Sequence, residues 1–441
     1  MSPNHKKITM KKTAVFLFAS FLICVLCQAQ EADVVFKNVS IVSMKDNSVL
    51  KNTSIAVKDG KIIAIGASIK LKTKKLVEGN GKFLMPSISD AHVHFPATEE
   101  EFQNVLKLNL INGVTKLRSM RGDWKHVDWK AKYNTKESWY PKLYLSAPPI
   151  TRALDWNAAE IEDFVSKSKN QGFDLIKILS IKSLSMFQEL DRVCKINKMA
   201  IGGHYPSFGS INASDEQFIF DSNYSSFEHL GGLAGESQDV INRRVSLLKT
   251  KNKVVCPTLS WYNVGSGRYT IEELRKMPGM EYVAAAQVQE WLEATKNYRD
   301  KLGKVAYEEE VAKELMALEA KYKIVKQLHD EGVSMILSPD ASSKYMIAGF
   351  SVLSEMELLK NAQLSNFEIL KMTTVNFADF FNENYGTIEV GKNADFILLD
   401  GNPLESFSAL KNVHGVYFNQ QFLSTDMLNE MKQSLLKSVG K

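Results

Sequence analysis

FLMPSISDAHVHF, residues Phe83 to Phe95, is the stretch of the chain that decides its fold. An apolar run broken by Pro86 leads into two histidines, His92 and His94, at spacing i, i+2. In a β-strand, residues two apart project from the same face. The stretch therefore predicts a strand that ends in two imidazoles able to hold a divalent metal ion.

The His-x-His pair alone is weak evidence for a metal site. Eight histidines among 441 residues give roughly 0.14 such triplets by chance, and a strand with two polar residues on its solvent face would look the same. Two features favour the metal site. The apolar run suits a strand buried on both faces, and Asp90 lies two residues upstream, where a carboxylate can orient a ligand or a loop.

LMPSISDAHVHF, from Leu84 onward, resembles the first-strand signature of the amidohydrolase superfamily, in particular its imidazolonepropionase- and prolidase-like branch. That pattern usually has Gly after the Pro and a bulky apolar residue before the Asp, where this chain has Ser87 and Ser89. These departures change the approach to the site and leave the ligands intact. The resemblance implies an α/β fold: a (β/α)8 TIM barrel with a small β-sandwich domain built from both ends of the mature chain.

The first 29 residues predict a cleaved signal peptide. Four lysines among residues 6–12 precede an apolar core, Ala14 to Cys27, which is shorter than the ~20 residues of a membrane-spanning helix and is followed by a small-residue cleavage site ending at Ala29. We therefore expect a periplasmic or secreted protein with no stable membrane span after cleavage. A lipoprotein is disfavoured because the residues before Cys24 and Cys27 are large.

Charge and cysteine content exclude some function classes. Without residues 1–29 the chain loses four of its 55 basic residues and none of its 50 acidic ones, so its formal net charge falls from +5 to +1. Nucleic acid and an anionic membrane surface are therefore not expected as partners. Of four cysteines, Cys194 and Cys256 remain, which allows at most one disulfide and argues against a disulfide scaffold.

Both ends of the mature chain predict short strands. Residues 31–76 and 386–418 contain β-branched runs separated by turn residues such as Asp59-Gly60. The C-terminal segment resembles the last strands of the same superfamily, in which both chain ends form one sandwich. We therefore divide the chain into the signal peptide (1–29), the first part of the sandwich (30–82), the metal-dependent hydrolase barrel (83–384) and the second part of the sandwich (385–441).

Between the two ends, apolar strands alternate with amphipathic stretches, which is the pattern of repeated βα units. The eight candidate strands lie at His92 and at residues 114–118, 143–147, 175–179, 199–203, 226–228, 254–259 and 333–337. The third and sixth rest mainly on the family fold. The run from Ile271 to Glu331 exceeds one barrel helix and predicts an extra helical lid or a contact in a homo-oligomer, while its mixed charges disfavour a membrane-surface role.

Lys177 stands inside the apolar fourth strand, Phe173 to Leu179. An unpaired ammonium would be costly to bury there. One explanation is an inward lysine paired with a carboxylate. The other is carbamylation by CO2, which turns the amine into a carboxylate that bridges two metal ions, and the family motif favours this second explanation.

Three further strand ends match family positions for metal ligands: Gly203-His204, Glu228-His229 and Pro339-Asp340, the last without the usual Gly-Thr before the Asp. By resemblance, two divalent ions, with Zn expected, are held by one ligand set. The first ion takes His92, His94, Lys177 and Asp340, and the second takes Lys177, His204 and His229. CO2 is expected as the carbamate on Lys177.

This ligand set implies hydrolysis. Two ions ~3.5–4 Å apart lower the pKa of a hydroxide between them, and Asp340 can serve as general base and then as general acid. We expect the amide C–N bond of a small-molecule substrate to be cleaved through the metal-bridged hydroxide. Xaa-Pro-type dipeptides, esters and lactones are alternatives on the same site. A non-catalytic binding protein is disfavoured because no ligand is missing.

The sequence says less about specificity. Tyr205 follows His204, and Trp261-Tyr262 lies just beyond the seventh strand, so these aromatic side chains are candidates for a substrate pocket or for packing. Arg118, at the end of the second strand, is a candidate ligand for a substrate carboxylate or a structural residue.

Overall fold

The structure is a computed structural model that describes residues 31–208 and 212–441. The predicted signal peptide, residues 1–29, lies outside the described residues. Within the described ranges, no helix is both long enough and apolar enough to cross a lipid bilayer.

The described strands and helices alternate along most of the chain. The strands are β1 (Ala32–Val42), β2 (Val49–Lys58), β3 (Lys61–Gly66), β4 (Thr73–Glu78), β5 (Phe83–Pro86), β6 (Ile88–His94), β7 (Val114–Arg121), β8 (Lys142–Tyr144), β9 (Leu175–Ile178), β10 (Ala200–Gly203), β11 (Tyr224–Glu228), β12 (Val254–Cys256), β13 (Phe396–Leu399), β14 (Val413–Phe418) and β15 (Gln421–Ser424). The helices are α1 (Glu99–Ile111), α2 (His126–Tyr133), α3 (Ala158–Gln171), α4 (Leu184–Asn197), α5 (Ala213–Asp221), α6 (Gln238–Thr250), α7 (Leu259–Gly265), α8 (Ile271–Arg275), α9 (Ala285–Leu302), α10 (Lys304–Asp330), α11 (Phe350–Asn361), α12 (Asn366–Thr373), α13 (Val375–Phe380) and α14 (Thr425–Ser438).

Strands from both ends of the chain share one sheet, in the order β15-β14-β13-β5-β1-β2-β3, with β4 also paired to β1. The sequence predicts a small antiparallel sheet at the N-terminal end, but β4 and β5 pair with β1 in parallel, so the sheet is mixed. The reason lies in β1, whose register shifts after Phe36 and whose Asn38 has positive φ. Its first half pairs with β4 and its second half with β5.

The stretch from Phe83 to Phe95 forms two strands and not one. β5 belongs to the large sheet, and β6, which begins after Ser87, starts a parallel sheet with β7 and β8. All residues of β6 except His94 are buried, as expected for a strand covered on both faces. The quoted stretch therefore joins the terminal sheet to the part of the fold that carries the histidines.

Two parallel sheets occupy the middle of the chain, β6-β7-β8 and β9-β10-β11-β12. Isolated parallel bridges connect them at both edges: Ser146 and Ile150 bridge to β9, and Val255 bridges to Met335. Val93 of β6 bridges to Ala341. Residues 333–337, predicted as the eighth strand, thus carry a single bridge instead of a regular ladder. The fold is α/β.

Helices cover the parallel strands because their apolar residues recur on one face. In α4, Met186, Phe187, Leu190, Val193 and Cys194 are buried, a spacing that forms one stripe on a helix. Ser183 caps its first turn by accepting the N–H of Met186. Such helices fix where each strand ends and so where each candidate ligand lies.

Residues 271–331, which the sequence predicts as a helical insert, contain α8, α9 and α10. Helix α10 contacts α7, the short helix that follows β12. Both remaining cysteines, Cys194 and Cys256, are buried and free, so the described residues contain no disulfide between them.

Candidate metal centre

All six predicted metal ligands line one cavity of about 950 Å³. His92 and His94 end β6, Lys177 lies in β9, and His204 and His229 directly follow β10 and β11. Asp340 follows the irregular eighth segment. His92 and Asp340, which are 248 positions apart in the chain, thus lie together at the carboxyl ends of the parallel strands. This is the end at which α/β barrels carry their catalytic residues.

Asp340 is the centre of the cluster. Its carboxylate lies 3.3 Å from His94 Nε2, 3.6 Å from His92 Nε2 and 3.8 Å from His229 Nδ1. Its Oδ1 is buried without a hydrogen-bond partner among the described residues. Burial raises the pKa of Asp340 to about 8, against the lowering effect of the Lys177 charge. A buried acceptor that lies among imidazoles and has no donor is suited to bind a cation.

The backbone holds Asp340 in an unusual conformation. Its φ is +68°, and φ at His229 is +61°, values that cost non-glycine residues energy and cluster at functional sites. Ser338 stabilises this turn: its Oγ accepts the N–H of Asp340 at 3.1 Å and donates to Asp90 Oδ1 at 2.5 Å. Asp90 Oδ1 also accepts the N–H of His92 at 3.2 Å. Asp90 therefore orients the histidine strand and the Asp340 turn together, as the sequence suggested for a carboxylate at this position.

Glu228 is a functional candidate to which sequence reasoning gave no role. Its Oε2 lies 2.8 Å from His92 Nδ1, and both side chains are buried. If Nδ1 carries the hydrogen and donates to Glu228, the Nε2 lone pair of His92 faces Asp340 and is free to bind a metal. Burial raises the pKa of Glu228, but Arg118 and Lys177 outweigh it, so the net shift is downward and the group stays a carboxylate.

Arg118 does not line the cavity. Its side chain is fully buried beneath it, where Nη2 donates to Glu228 Oε1 at 2.8 Å, Nη1 to Ser226 Oγ at 2.6 Å and Nε to Ala91 O at 2.5 Å. Of the two roles that the sequence left open for Arg118, this geometry favours the structural one. An arginine with these three partners neutralises Glu228 and has no free face for a substrate carboxylate.

Lys177 is 2% exposed and has buried neighbours on both sides in β9. Nowhere in residues 31–208 and 212–441 does its ammonium have a hydrogen bond or an ion pair within 4 Å, so the paired-lysine explanation finds no partner. Burial lowers the pKa of Lys177 to about 8, against the raising effect of Glu228. At neutral pH most copies of this side chain therefore keep the proton, and roughly a tenth carry an uncharged amine.

The imidazoles are in the form that binds metals. Burial lowers the pKa of His94 and His204 to about 4 and the pKa of His92 and His229 well below the ordinary value for histidine. Neutral imidazole is the ligand form. The rings of His92 and His204 each lie within 5 Å of the His229 ring, with centroids 4.7 and 4.8 Å away. Thr258 Oγ1 is 2.7 Å from His229 Nδ1 and orients that ring.

Three of the four predicted substrate residues line the cavity, namely Tyr205, Trp261 and Tyr262. Trp261 is 47% exposed, and the Tyr262 hydroxyl donates to the carbonyl of His229. The Tyr205 hydroxyl is buried without a partner among the described residues, and its ring packs 4.8 Å from the Arg244 guanidinium. Arg121, which also lines the cavity, had not been singled out from the sequence.

The cluster fits a divalent cation. One ligand atom from each of His92, His229 and Asp340 lies within 4.8 Å of the other two, and nitrogen and carboxylate oxygen are ligands that Zn accepts. The unpartnered Oδ1 of Asp340 supplies an acceptor that no protein donor uses. The unmodified ammonium of Lys177 does not fit as a ligand, since it offers donors only.

Comparison with known proteins finds a matching family model and similar enzymes. Residues 279–422 match the model of the Amidohydrolase family. An imidazolonepropionase from Geobacillus sp. (strain WCH70) is 24% identical over 385 residues, which is 81% of this chain and 86% of that enzyme. An adenine deaminase from Desulforamulus reducens is 32% identical, but over only 69 residues, 16% of this chain and 12% of that enzyme.

Solved structures share the fold over most of the chain. A bottromycin amidohydrolase superimposes with a TM-score of 0.71 at 19% identity, covering 92% of this chain and 90% of that one. A Xaa-Pro dipeptidase with bound methionine gives a TM-score of 0.65 at 15% identity, covering 89% and 99%.

These comparisons confirm the predicted resemblance. The chain is similar to the amidohydrolase superfamily over residues 279–422 and, over most of its length, to an imidazolonepropionase. The predicted enzyme class, a hydrolase acting on carbon–nitrogen bonds, is confirmed with it.

Proposed function

We propose that this chain is an exported, metal-dependent amidohydrolase that cleaves an amide C–N bond in a small molecule. The observation that carries the proposal is Asp340: its buried Oδ1 has no donor within the described structure and lies 3.3 Å from His94 Nε2 and 3.6 Å from His92 Nε2. A carboxylate among neutral imidazoles can hold a cation and still exchange a proton.

The architecture that supports this site is, in our proposal, a closed (β/α)8 barrel. The parallel sheets β6-β7-β8 and β9-β10-β11-β12 are bridged through Ser146 and Ile150 at one edge and through the Met335 segment and Ala341 at the other. The eighth position is filled by residues 333–337. The large sheet of β1–β5 and β13–β15 then forms the second domain, with divisions near residues 83 and 385.

The ligands would be shared between two ions. His92, His94, Lys177 and Asp340 would hold one, and Lys177, His204 and His229 the other, with Lys177 acting as its CO2 adduct. Divalent ions bound there would acidify a water molecule and polarise the substrate carbonyl.

The protein residues have separate tasks in this proposal. Asp340 accepts a proton from the attacking water and delivers it to the leaving nitrogen. Glu228, held by Arg118 at 2.8 Å, keeps His92 in one tautomer. Tyr205, Trp261 and Tyr262 form the cavity wall that contacts the substrate and excludes water.

Several classes of substrate are compatible with the proposed reaction. Dipeptides of the Xaa-Pro type are an alternative supported by the fold likeness to Xaa-Pro dipeptidase and prolidase structures, and esters or lactones are chemical neighbours on the same site. A panel of dipeptides, N-acyl amino acids and cyclic amides, assayed with the metal-loaded mature protein, tests the proposal. Cleavage of esters alone would replace amide hydrolysis with esterase activity, and binding without turnover would favour a non-catalytic role.

Metal content gives a direct prediction. Purified protein should carry up to two divalent ions per chain, and His92→Ala or His204→Ala should each lower that number because each removes an imidazole from the cavity. His329→Ala is the matched control, since His329 is at the end of α10 and pairs with Asp330 and Glu368. Elemental analysis decides the matter, and full occupancy in both site variants would remove the proposed site.

Export gives a second prediction, which concerns residues outside the described structure. The mature chain should begin near Gln30, because the basic segment, apolar core and Ala29 together form a signal-peptide pattern. The intact mass of protein purified from its native host measures the start. A mature protein that keeps the four N-terminal lysines would contradict export by this route.

A further inference from the structure

A second cavity of about 280 Å³, here called the insert cavity, lies between α7 and the helical insert. Its walls come from α7, from one face of α9, from the start of α10 and from residues 344–346. Five of its lining side chains are aromatic, namely Trp261, Tyr269, Tyr298, Tyr307 and Tyr345. Because ligand pockets usually measure ~300–1,000 Å³, the insert cavity suits one ring with a short chain.

The insert cavity also carries two positive charges, Arg299 and Lys344, that form no ion pair with a carboxylate in the described residues. Arg299 donates to Tyr269 O at 2.6 Å, but its Nε is buried with no acceptor among the described residues. Lys344 lines the cavity and has no hydrogen bond or ion pair anywhere in residues 31–208 and 212–441. The one acidic lining residue, Glu310, already accepts the Tyr298 hydroxyl at 2.6 Å. A buried donor without an acceptor is a cost that an anionic ligand would remove.

Trp261 connects the insert cavity to the candidate metal centre, because its side chain lines both. The next residue, Tyr262, lines the metal cavity and donates to the carbonyl of His229. The two cavities therefore adjoin at the exposed side chain of Trp261. A substrate group in the insert cavity would lie beside the part of the substrate that contacts Trp261 in the metal cavity.

We propose that the insert cavity is a distal substrate subsite for an aromatic group that carries a carboxylate, with the ring among the tyrosines and the carboxylate at Arg299 and Lys344. The inference rests on the proposed amide hydrolysis and names its substrate class: amides in which an aromatic amino acid, or a similar aryl carboxylate, is one of the two halves. It gives the helical insert a role in specificity.

Binding can be measured without turnover. The probes are 3-phenylpropanoate, propanoate, which lacks the ring, and 3-phenylpropan-1-ol, which lacks the charge, each titrated into the metal-loaded protein by calorimetry. Propanoate reports any affinity of a carboxylate for the metal centre itself. We expect 3-phenylpropanoate to bind at least about tenfold more tightly than either of the others, since a buried ring and a charge-assisted hydrogen bond both contribute.

Two pairs of variants locate the binding. Gly265 lines the insert cavity at an exposed position, and a Cβ added there meets no atom within 4 Å, so Gly265→Phe introduces a ring at the cavity without a clash at its Cβ. It should weaken 3-phenylpropanoate about tenfold, whereas Ala286→Phe, on the exposed face of α9, should not. Lys344→Gln should weaken 3-phenylpropanoate but not the alcohol, and the exposed Lys301→Gln should change neither. Absence of the ring preference, or its survival in Gly265→Phe, would overturn the proposal.

Hydrolysis then tests whether the cavity serves the substrate. In wild type, kcat/KM should be at least about tenfold higher for N-acetyl-L-phenylalanine than for N-acetyl-L-alanine, and Gly265→Phe should bring the ratio towards one by raising KM. Aryl carboxylate binding that Gly265→Phe abolishes, with an unchanged kcat/KM ratio, would make the cavity an independent site and refute the subsite. If neither amide is cleaved in wild type, amide hydrolysis of these compounds fails, while the calorimetry still decides what the cavity binds.

Discussion

Asp340→Asn should lower turnover by about 10²–10⁴-fold while much of the bound metal remains. The amide keeps an oxygen that can act as a ligand but cannot take up and release the proton. The carboxylate it replaces lies 3.3 Å from His94 Nε2 and 3.6 Å from His92 Nε2, so the imidazoles that surround it should continue to hold an ion. The loss should therefore appear mainly in kcat.

Three measurements separate this effect from unfolding or metal loss. Elemental analysis and thermal unfolding of Asp340→Asn should stay near those of wild type while kcat falls. Asp300→Asn, at an exposed position of α9, is the matched control and should leave all three unchanged. A variant with near-normal turnover would show that another residue handles the proton. Glu228, which also lines the cavity, would then be the next carboxylate to test.

The meeting of the six proposed metal ligands in one cavity was predictable because each stands at or near the end of an apolar strand, and parallel strands bring their ends to one edge. The structure places all six on the same cavity. The sequence pattern at Phe83 to Phe95 also predicted burial, and in the structure every residue of β6 except the last is buried. Local sequence patterns were therefore sufficient to predict that the six proposed ligands lie at the cavity.

The support beneath the ligands was not predictable from the same patterns. Glu228 contacts His92, which lies 136 residues earlier in the chain, and Arg118, which lies 110 residues earlier. These residues belong to three different strands, and no local spacing predicts their contact. Neighbouring residues of a strand point to opposite faces. The pair Glu228-His229 gave no sign that both would line the same cavity, which they do because the chain turns at His229, where φ is positive.

The terminal sheet departs from its prediction for a similar reason. Short β-branched runs predicted strands, but pairing partners depend on irregularities such as the register shift after Phe36 in β1. That shift lets one strand pair with β4 along its first half and with β5 along its second. Strand β4, with its exposed lysines, lacks the alternation that marks a half-buried strand and was not predicted.

Lys177→Ala should abolish most of the activity and remove bridged metal together with it. Lys177 is buried as a residue and lines the cavity, its amine has no hydrogen bond or ion pair in the described structure, and burial lowers its pKa to about 8, so some uncharged amine is present to react. In our proposal its nitrogen attacks CO2 and loses a proton, which gives an N-carboxylate with one negative charge shared by two oxygens; each oxygen would be available to one ion. An unmodified amine has one lone pair and is mostly protonated at neutral pH.

The adduct and the metals should depend on each other. Bound cations pair the charge of the carbamate in a site with little solvent, and the carbamate supplies the ligands that the cations need. Metal-loaded protein should therefore show a mass greater by one CO2 at Lys177, and metal-depleted protein should lose it. Lys177→Met is the companion variant, because it fills similar space without offering a carboxylate and so should lose metal as Lys177→Ala does.

Chemical rescue distinguishes a missing bridge from a damaged fold. Formate or acetate should restore part of the activity and metal content of Lys177→Ala by occupying the vacated space, and should do so poorly for Lys177→Met, whose side chain blocks it. Density at Lys177 Nζ in a metal-loaded crystal is the direct observation. If that density shows a bare amine and Lys177→Ala hydrolyses substrate normally, the carbamate bridge is wrong, and one ion held by His92, His94 and Asp340 becomes the better account of this site.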